Sequence, residues 1–396
     1  MSLQQKTELR SIILGYTGFL ILGLGGGLLG VAWPAIRAEF GLPLEAQGAL
    51  TISASLGYSL VSALIGRFAV RFGIRMMFTG MVLIAALGFL GLSAAPVWAV
   101  MIIASFLASA GSGGLDAGMN LYAAAHFSPR VMQWLHATWG LGFALTPALY
   151  TIVLDNNLSW RVGYAAVMVL YVVLALVIFS MHVWKSVEAL ATKDGSVKKH
   201  TAFAETLRVP LVWISVTLFA VYVGAELMPA NWAFSLFTEA RQIVPTTATF
   251  WVSAYAGGLT VGRIFFGAIA SRFTTNQLLR GAMIGALVGI VGLWVGGDSL
   301  LSVIGLATTG FCFGPIFPLL MSATPERLGE HAANTIGFQM AAVGIGNALL
   351  PAAAGLVAGK LGLETIVPFT FVLGVILFGL HEWMIAQSRK KTEVAA

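Results

Sequence analysis

Cysteine is almost missing from this chain. Cys312 stands alone among 396 residues, which excludes a disulfide framework and any cysteine-built metal site. Charge is nearly as scarce: Asp, Glu, Lys and Arg make up 10% of the sequence, against about 25% in an ordinary soluble domain. No glycine-rich phosphate loop ending in lysine and a hydroxyl residue occurs, so no nucleotide-driven engine is expected. Long polar segments are lacking too. The longest runs from 185 to 208, too short to be the sizeable soluble domain of a receptor. The acids and histidines inside apolar stretches come from separate segments without metal-ligand or nucleophile–base spacing. Neither an enzyme nor a bound metal or organic cofactor is expected.

What remains is apolar. Hydrophobic residues reach 58%, glycine numbers 46 and mean hydropathy is +0.89. At about 20 residues per membrane crossing, the chain divides into twelve predicted spans. They cover 11–33, 47–66, 76–94, 97–125, 132–154 and 160–184, then 209–238, 246–270, 278–295, 300–322, 332–358 and 363–385. The first apolar run is long enough to stay as a span, and no cleavable signal is expected before it. Basic residues fall in alternate loops, seventeen on the side of the N-terminus against four on the other. The positive-inside rule then predicts that both termini lie in the cytoplasm. The net charge of +6 is thereby a matter of topology, and no nucleic-acid partner is expected.

The two halves echo each other. Gly140-Leu-Gly-Phe-Ala-Leu-Thr-Pro147 in span 5 lines up with Gly344-Ile-Gly-Asn-Ala-Leu-Leu-Pro351 in span 11. Gly66-Arg-Phe-Ala-Val-Arg-Phe-Gly73 follows span 2, and Gly267-Ala-Ile-Ala-Ser-Arg-Phe273 follows span 8. The expected organisation is a six-helix bundle over 1–184, a linker over 185–208 and a second six-helix bundle over 209–396.

Gly66, Arg71, Gly73 and Arg75 resemble the loop signature of the major facilitator superfamily, which helps set the inward/outward equilibrium. The acidic position of that signature holds Val70 here, and one basic position holds Ile74. A narrower likeness lies in Leu115-Asp-Ala-Gly-Met-Asn120, Leu135-His-Ala-Thr-Trp-Gly-Leu-Gly142, Gly224-Ala-Glu226 with Asn231-Trp232, and 310–318. These motifs resemble the sugar-transporting branch that includes fucose permeases, sodium-dependent glucose transporters and the bypass-of-stop-codon group. The resemblance implies an all-α membrane protein with twelve transmembrane helices in two bundles, and a substrate site between the halves. It further implies a proton- or sodium-coupled symporter of a sugar or similar polyhydroxylated solute, monomeric, in the plasma (inner) membrane, working by alternating access.

Inside the spans the polar inventory is short. Asp116 and Asn120 stand four apart, so a helix sets both on one face. A carboxylate in a span costs at least about 2.5–3.5 kcal/mol to insert and marks function by default. Asp116 falls in the inner half of span 4, with His136 of span 5 level with Asn120; Glu226 falls near the middle of span 7. Asp116, Glu226 and His136 are the candidates for ion coupling. Glu226, Asn231, Trp232, Asn120, Trp139, Gln339 and Asn347 are the candidates for substrate binding: amides serve hydroxyls, and aromatic faces serve the C–H patches of a sugar ring. Each amide taken singly also suits helix–helix hydrogen bonding. Arg263 is expected to snorkel towards an interface, where His381 and Glu382 are also placed. Two acids beside many Phe and Met residues equally suit efflux of drugs, lipophilic cations or lipid-like compounds, and that is the alternative reading.

Overall fold

Lipid offers the backbone no hydrogen-bond partner, so a spanning segment must satisfy every peptide group within itself. The computed structural model describes residues 3–42, 46–185 and 201–395, and they are helical nearly throughout. The helices are α1 (Leu3–Phe40), α2 (Gln47–Ala94), α3 (Trp98–His126), α4 (Pro129–Asp155) and α5 (Arg161–Ser180). A short α6 (Phe203–Thr206) precedes α7 (Pro210–Ser235), α8 (Pro245–Ile269), α9 (Thr275–Gly296), α10 (Leu300–Phe313), α11 (Ile316–Leu328), α12 (Ala332–Leu361) and α13 (Ile366–Ala395). Proline opens α4, α7 and α8, where its missing N–H costs nothing and its fixed φ suits the first turn. A reciprocal capping box between Thr274 and Gln277 starts α9.

Among the described residues, nine continuous helical runs are long and apolar enough to cross a membrane. Two of these, Gln47–Ala94 at 48 residues and Leu300–Leu361 at 62, each hold two crossings. With the 27 residues of α4, the architecture is the expected all-α bundle of twelve membrane helices. The spans predicted at 47–66 and 76–94 are joined without a loop in α2. The joint is Gly73, at φ 73° and ψ 158°, a conformation that costs a residue with a Cβ but not glycine. The span predicted at 300–322 is instead broken: α10 stops at Phe313 and α11 begins at Ile316. Pro315 and Pro318 lack the N–H groups that would carry the ladder across. Helices α1 and α13 run past their predicted ends because polar residues leave the membrane without leaving the helix. Of the predicted linker, 186–200 lies outside the described residues.

The described chain forms two compact units. One holds α1 to α3, the chain from Trp134 through α5, and Ile336–Gly344 of α12; there Ser59 Oγ donates to the Ala341 carbonyl at 3.1 Å. The other holds Phe127–Gln133, Thr201–Thr335 and Ile345 onward; there Arg130 donates to the carbonyls of Gly267 and Ala268 at 3.3 and 3.2 Å, closing the C-terminal end of α8.

Both units use the repeated glycines in the same way. A Cβ on Gly142 of α4 would collide with the Leu20 carbonyl of α1, and one on Gly346 of α12 with the Ala220 carbonyl of α7. These two glycines occupy the same position in the sequence repeat, and each lets two helix backbones touch. Gly142→Leu is therefore expected to cost at least about 1–3 kcal/mol through overpacking, read as a lower midpoint in thermal unfolding of the detergent-solubilised protein. Gly30, whose Cβ would meet nothing within 4 Å, is the control position.

A second correspondence is charge-reversed. In the first unit, Arg161 at the start of α5 pairs with Glu39 at the end of α1 and donates to the Ser93 carbonyl near the end of α2, at 3.1 Å. In the second, Arg241, just after α7, takes Glu364, just before α13, in a two-pronged pair at 2.7 and 2.9 Å. It also donates to the Leu293 and Gly297 carbonyls and to Ser302 Oγ at 3.0, 2.8 and 3.0 Å. Acid and base have exchanged places between the repeats, while the arginine still caps the third crossing of its bundle.

Candidate functional site

The first unit brings Asp116, Asn120 and His136 together. Asn120 donates its amide to Asp116 Oδ1 at 2.8 Å and to the Asp116 carbonyl at 3.0 Å. The i,i+4 spacing on α3 therefore does what helix geometry demands. Tyr58 of α2 donates its hydroxyl to Asp116 Oδ2 at 2.8 Å. Because Asn120 uses its amide on Asp116, its Oδ1 accepts, and His136 Nε2 at 3.1 Å must carry the proton. The order is Tyr58, Asp116, Asn120, His136, with the Phe19 ring edge-on to the imidazole at 5.2 Å between centroids. Tyr58 had no signal in the sequence apart from its place on an apolar helix. The glycines before Asp116 explain how it arrives: a Cβ on Gly113 would strike the Tyr58 ring at 2.7 Å. The small residues of 109–114 thus set α3 against α2 and bring the tyrosine to the acid.

The second unit holds Glu226 in a different environment. Arg263 of α8 reaches it from Nη2 to Oε1 at 3.2 Å, with side-chain exposures of 10% and 12% for the two partners. The expectation that Arg263 snorkels is thereby corrected: it is buried and paired. Burying a guanidinium without a partner costs far more than bending it to an acid one helix away. Its Nε donates to the Gly314 carbonyl at 3.2 Å. Tyr255 donates its hydroxyl to the Glu226 carbonyl, and Tyr222 donates to the Phe313 carbonyl at 3.1 Å. Helix α8 comes this close because Gly258 and Gly262 face Ala307 and Phe311, while Gly310 and Gly314 face Tyr255 and Leu259. Two glycines four apart on each helix give a seam of backbone against backbone.

The other predicted residues occupy varied settings. Trp232 donates Nε1 to the Pro351 carbonyl at 3.2 Å, and its indole fills the space beside Gly355. Trp139 is 37% exposed and stacks on Phe143 at 5.5 Å. Asn231 and Asn347 are exposed on α7 and α12. Gln339 is wholly buried in the stretch of α12 that belongs to the first unit. His381, placed at an interface by its sequence position, has no exposed surface. Glu382 beside it takes Arg280 in a two-pronged pair, both bonds at 2.6 Å.

In the loop signature, Gly73 makes the turn and Arg71 and Phe72 are exposed. Arg75 meets His182 through Nη1 and Nε2, and lies 5.8 Å from the Phe179 ring centroid. A guanidinium only donates, so His182 Nε2 is the acceptor. A histidine at the end of the sixth crossing thus partners the arginine of a signature whose acidic position is Val70. The motif Phe179-Ser-Met-His182-Val-Trp184 returns as Phe378-Gly-Leu-His381-Glu-Trp383 at the end of the twelfth crossing. That repeat is the signal that would have exposed both histidines.

The chain is similar to proteins of known class along nearly its whole length. It is 24% identical to bypass of stop codon protein 6 of Saccharomyces cerevisiae, over 93% of this chain and 80% of that protein. It is 25% identical to an uncharacterised MFS-type transporter of Yersinia pestis, over 86% and 87%. Among solved structures it superposes on the E. coli fucose:proton symporter FucP with a TM-score of 0.79 at 15% identity, covering 96% and 99% of the two chains. On the proton:xylose symporter XylE the TM-score is 0.76 at 13% identity, covering 94% and 95%. The likeness to the bypass-of-stop-codon group drawn from short motifs therefore extends over the chain, and the fold is that of the two sugar symporters. The family model of the Major Facilitator Superfamily matches residues 15–338 and 232–395, and this multi-pass integral membrane protein belongs to that superfamily.

Proposed function

We propose that the protein is a secondary active transporter that carries a sugar or similar polyhydroxylated solute in symport with a proton, by alternating access. The observation that carries this reading is a partly buried carboxylate in each unit, held among the described residues in a built hydrogen-bond network: Asp116 by Tyr58 and Asn120, Glu226 by Arg263. Neutral donors hold Asp116, so protonation removes a charge without stranding a cation. At Glu226, protonation instead releases a buried arginine from its counter-charge. Either change alters which state of the protein is favoured, which is what coupling requires. A proton suits these sites better than sodium, because both Asp116 oxygens already accept from hydrogen-bond donors and Glu226 already has a cation. Glu226, Trp139, Trp232, Asn120, Asn231, Gln339 and Asn347 remain the proposed substrate contacts. The proposed setting is the inner (plasma) membrane, with both termini cytoplasmic and the protein monomeric.

The test is uptake into proteoliposomes across a sugar panel, with a proton or a sodium gradient imposed. Proton-driven accumulation of at least one sugar is expected. Glu226→Gln and Asp116→Asn should each abolish accumulation while counterflow exchange survives. Sodium-driven uptake, or full accumulation in both variants, overturns the coupling assignment; no uptake of any sugar overturns the substrate class.

A further inference from the structure

Three consecutive carbonyls at the break between α10 and α11 each receive a side-chain donor, and the last of them, Pro315 O, also accepts the Leu319 N–H at 3.1 Å. Tyr222 of α7 donates to Phe313 O, Arg263 of α8 to Gly314 O, and Gln133 to Pro315 O at 2.9 Å. Gly314 O is orphaned by the chain itself. In a continuous helix its donor would be the N–H of residue 318, and residue 318 is proline. The arginine that fills this gap is the one whose other arm holds Glu226. Tyr222 also lies against the Glu226 carboxylate, so two of the three donors at the break touch the same acid.

We propose that Arg263 is a coupling residue, transmitting the charge of Glu226 to the α10–α11 break. This rests on the reading of Glu226 as a proton-coupling acid. A guanidinium is flat and rigid, so its bond to the acid and its bond to the carbonyl are fixed in one geometry. While Glu226 is charged, a charge-assisted bond holds the group in place and the Gly314 carbonyl stays filled. When Glu226 takes a proton, that bond loses its charge. The buried guanidinium is then anchored only by a backbone carbonyl, and the break is free to open or re-pack. The titratable groups acting on Glu226 are Tyr222 on its own helix and Arg263 and Tyr255 on α8. Tyr255 bonds the Glu226 carbonyl and Tyr222 reaches both the Phe313 carbonyl and the Glu226 carboxylate; of the three, only Arg263 carries a positive charge.

Hydrogen–deuterium exchange of the full chain in nanodiscs, at one fixed pH and without substrate or gradient, tests this. Glu226→Gln imitates the protonated acid and is expected to speed exchange in peptides spanning 313–322 by about fivefold or more, a typical coupling between sites. Peptides from α3 should be unchanged. Arg263→Lys keeps the positive charge but has no fork to hold acid and carbonyl together, so it should speed the same peptides. Combining the two should add no more than either alone, the mark of residues acting through one link. Exchange unaltered by Glu226→Gln, a rise spread over both units, or increments that multiply would each overturn the proposal. If Arg263→Lys does not fold, Glu226→Gln alone decides. Because no transport is measured, a failed uptake assay leaves this result standing, and the reverse is also true.

Discussion

Arg263→Ala is expected to lower stability by about 3–5 kcal/mol, the cost of stranding one member of a buried ion pair. Glu226 is 12% exposed in its side chain and has no second cation among the charged groups acting on it. Removing the arginine also leaves the Gly314 carbonyl without a donor where Pro318 has already withdrawn one. The variant should reach the membrane in reduced amount and unfold at a lower temperature in detergent. Adding Glu226→Gln should recover most of the loss, since it removes the stranded charge while keeping the shape. A single variant as stable as the wild type would show that the pair contributes no stability. Failure of the second change to restore it would trace the loss to packing along the glycine seam of α8 and α10 instead.

The second large effect is predicted at Arg241, just beyond the end of α7 in the same unit. Arg241 has a side chain only 4% exposed, and besides its acid it serves two carbonyls at the end of α9 and the Ser302 hydroxyl of α10. Losing a charged donor to several buried acceptors costs about 1.5–3 kcal/mol per bond at most. Because Glu364 is 53% exposed and returns to water, Arg241→Ala should cost about 3 kcal/mol in all. Its counterpart Arg161→Ala should cost no more than about 1 kcal/mol, because that pair is 27% and 43% exposed and solvent screens it. The same thermal assay compares the two. Equal losses would contradict the argument that burial decides the difference.

The charge-reversed pairs also explain what stayed hidden in the sequence. The repeat at 140–147 and 344–351 was visible because glycine is needed at the same position in both copies. The repeat of the ion pairs was invisible because either partner may carry either sign, and swapping Glu39 and Arg161 for Arg241 and Glu364 erases residue identity while keeping the interaction. Arg263 shows a different limit. Its neighbours in sequence are apolar on both sides, which suits snorkelling as well as pairing. Only the approach of α8 to α7 puts Glu226 within reach. Tyr58 was illegible for a similar reason: α2 carries it to α3 across a seam that depends on Gly57 and Gly113.

The sequence by itself determined the class of this molecule. An apolar fraction of 58% with 10% charge can be buried only in lipid, and lipid permits a chain of this pattern only helices. It also determined the duplicated order of those helices and the pair Asp116–Asn120, because both follow from spacing along one chain. The tertiary structure alone decided which groups neutralise the buried acids. Asp116 met neutral donors and Glu226 met an arginine, and that difference depends on where glycines let separate helices touch, a relation between residues far apart in the chain that no local pattern encodes.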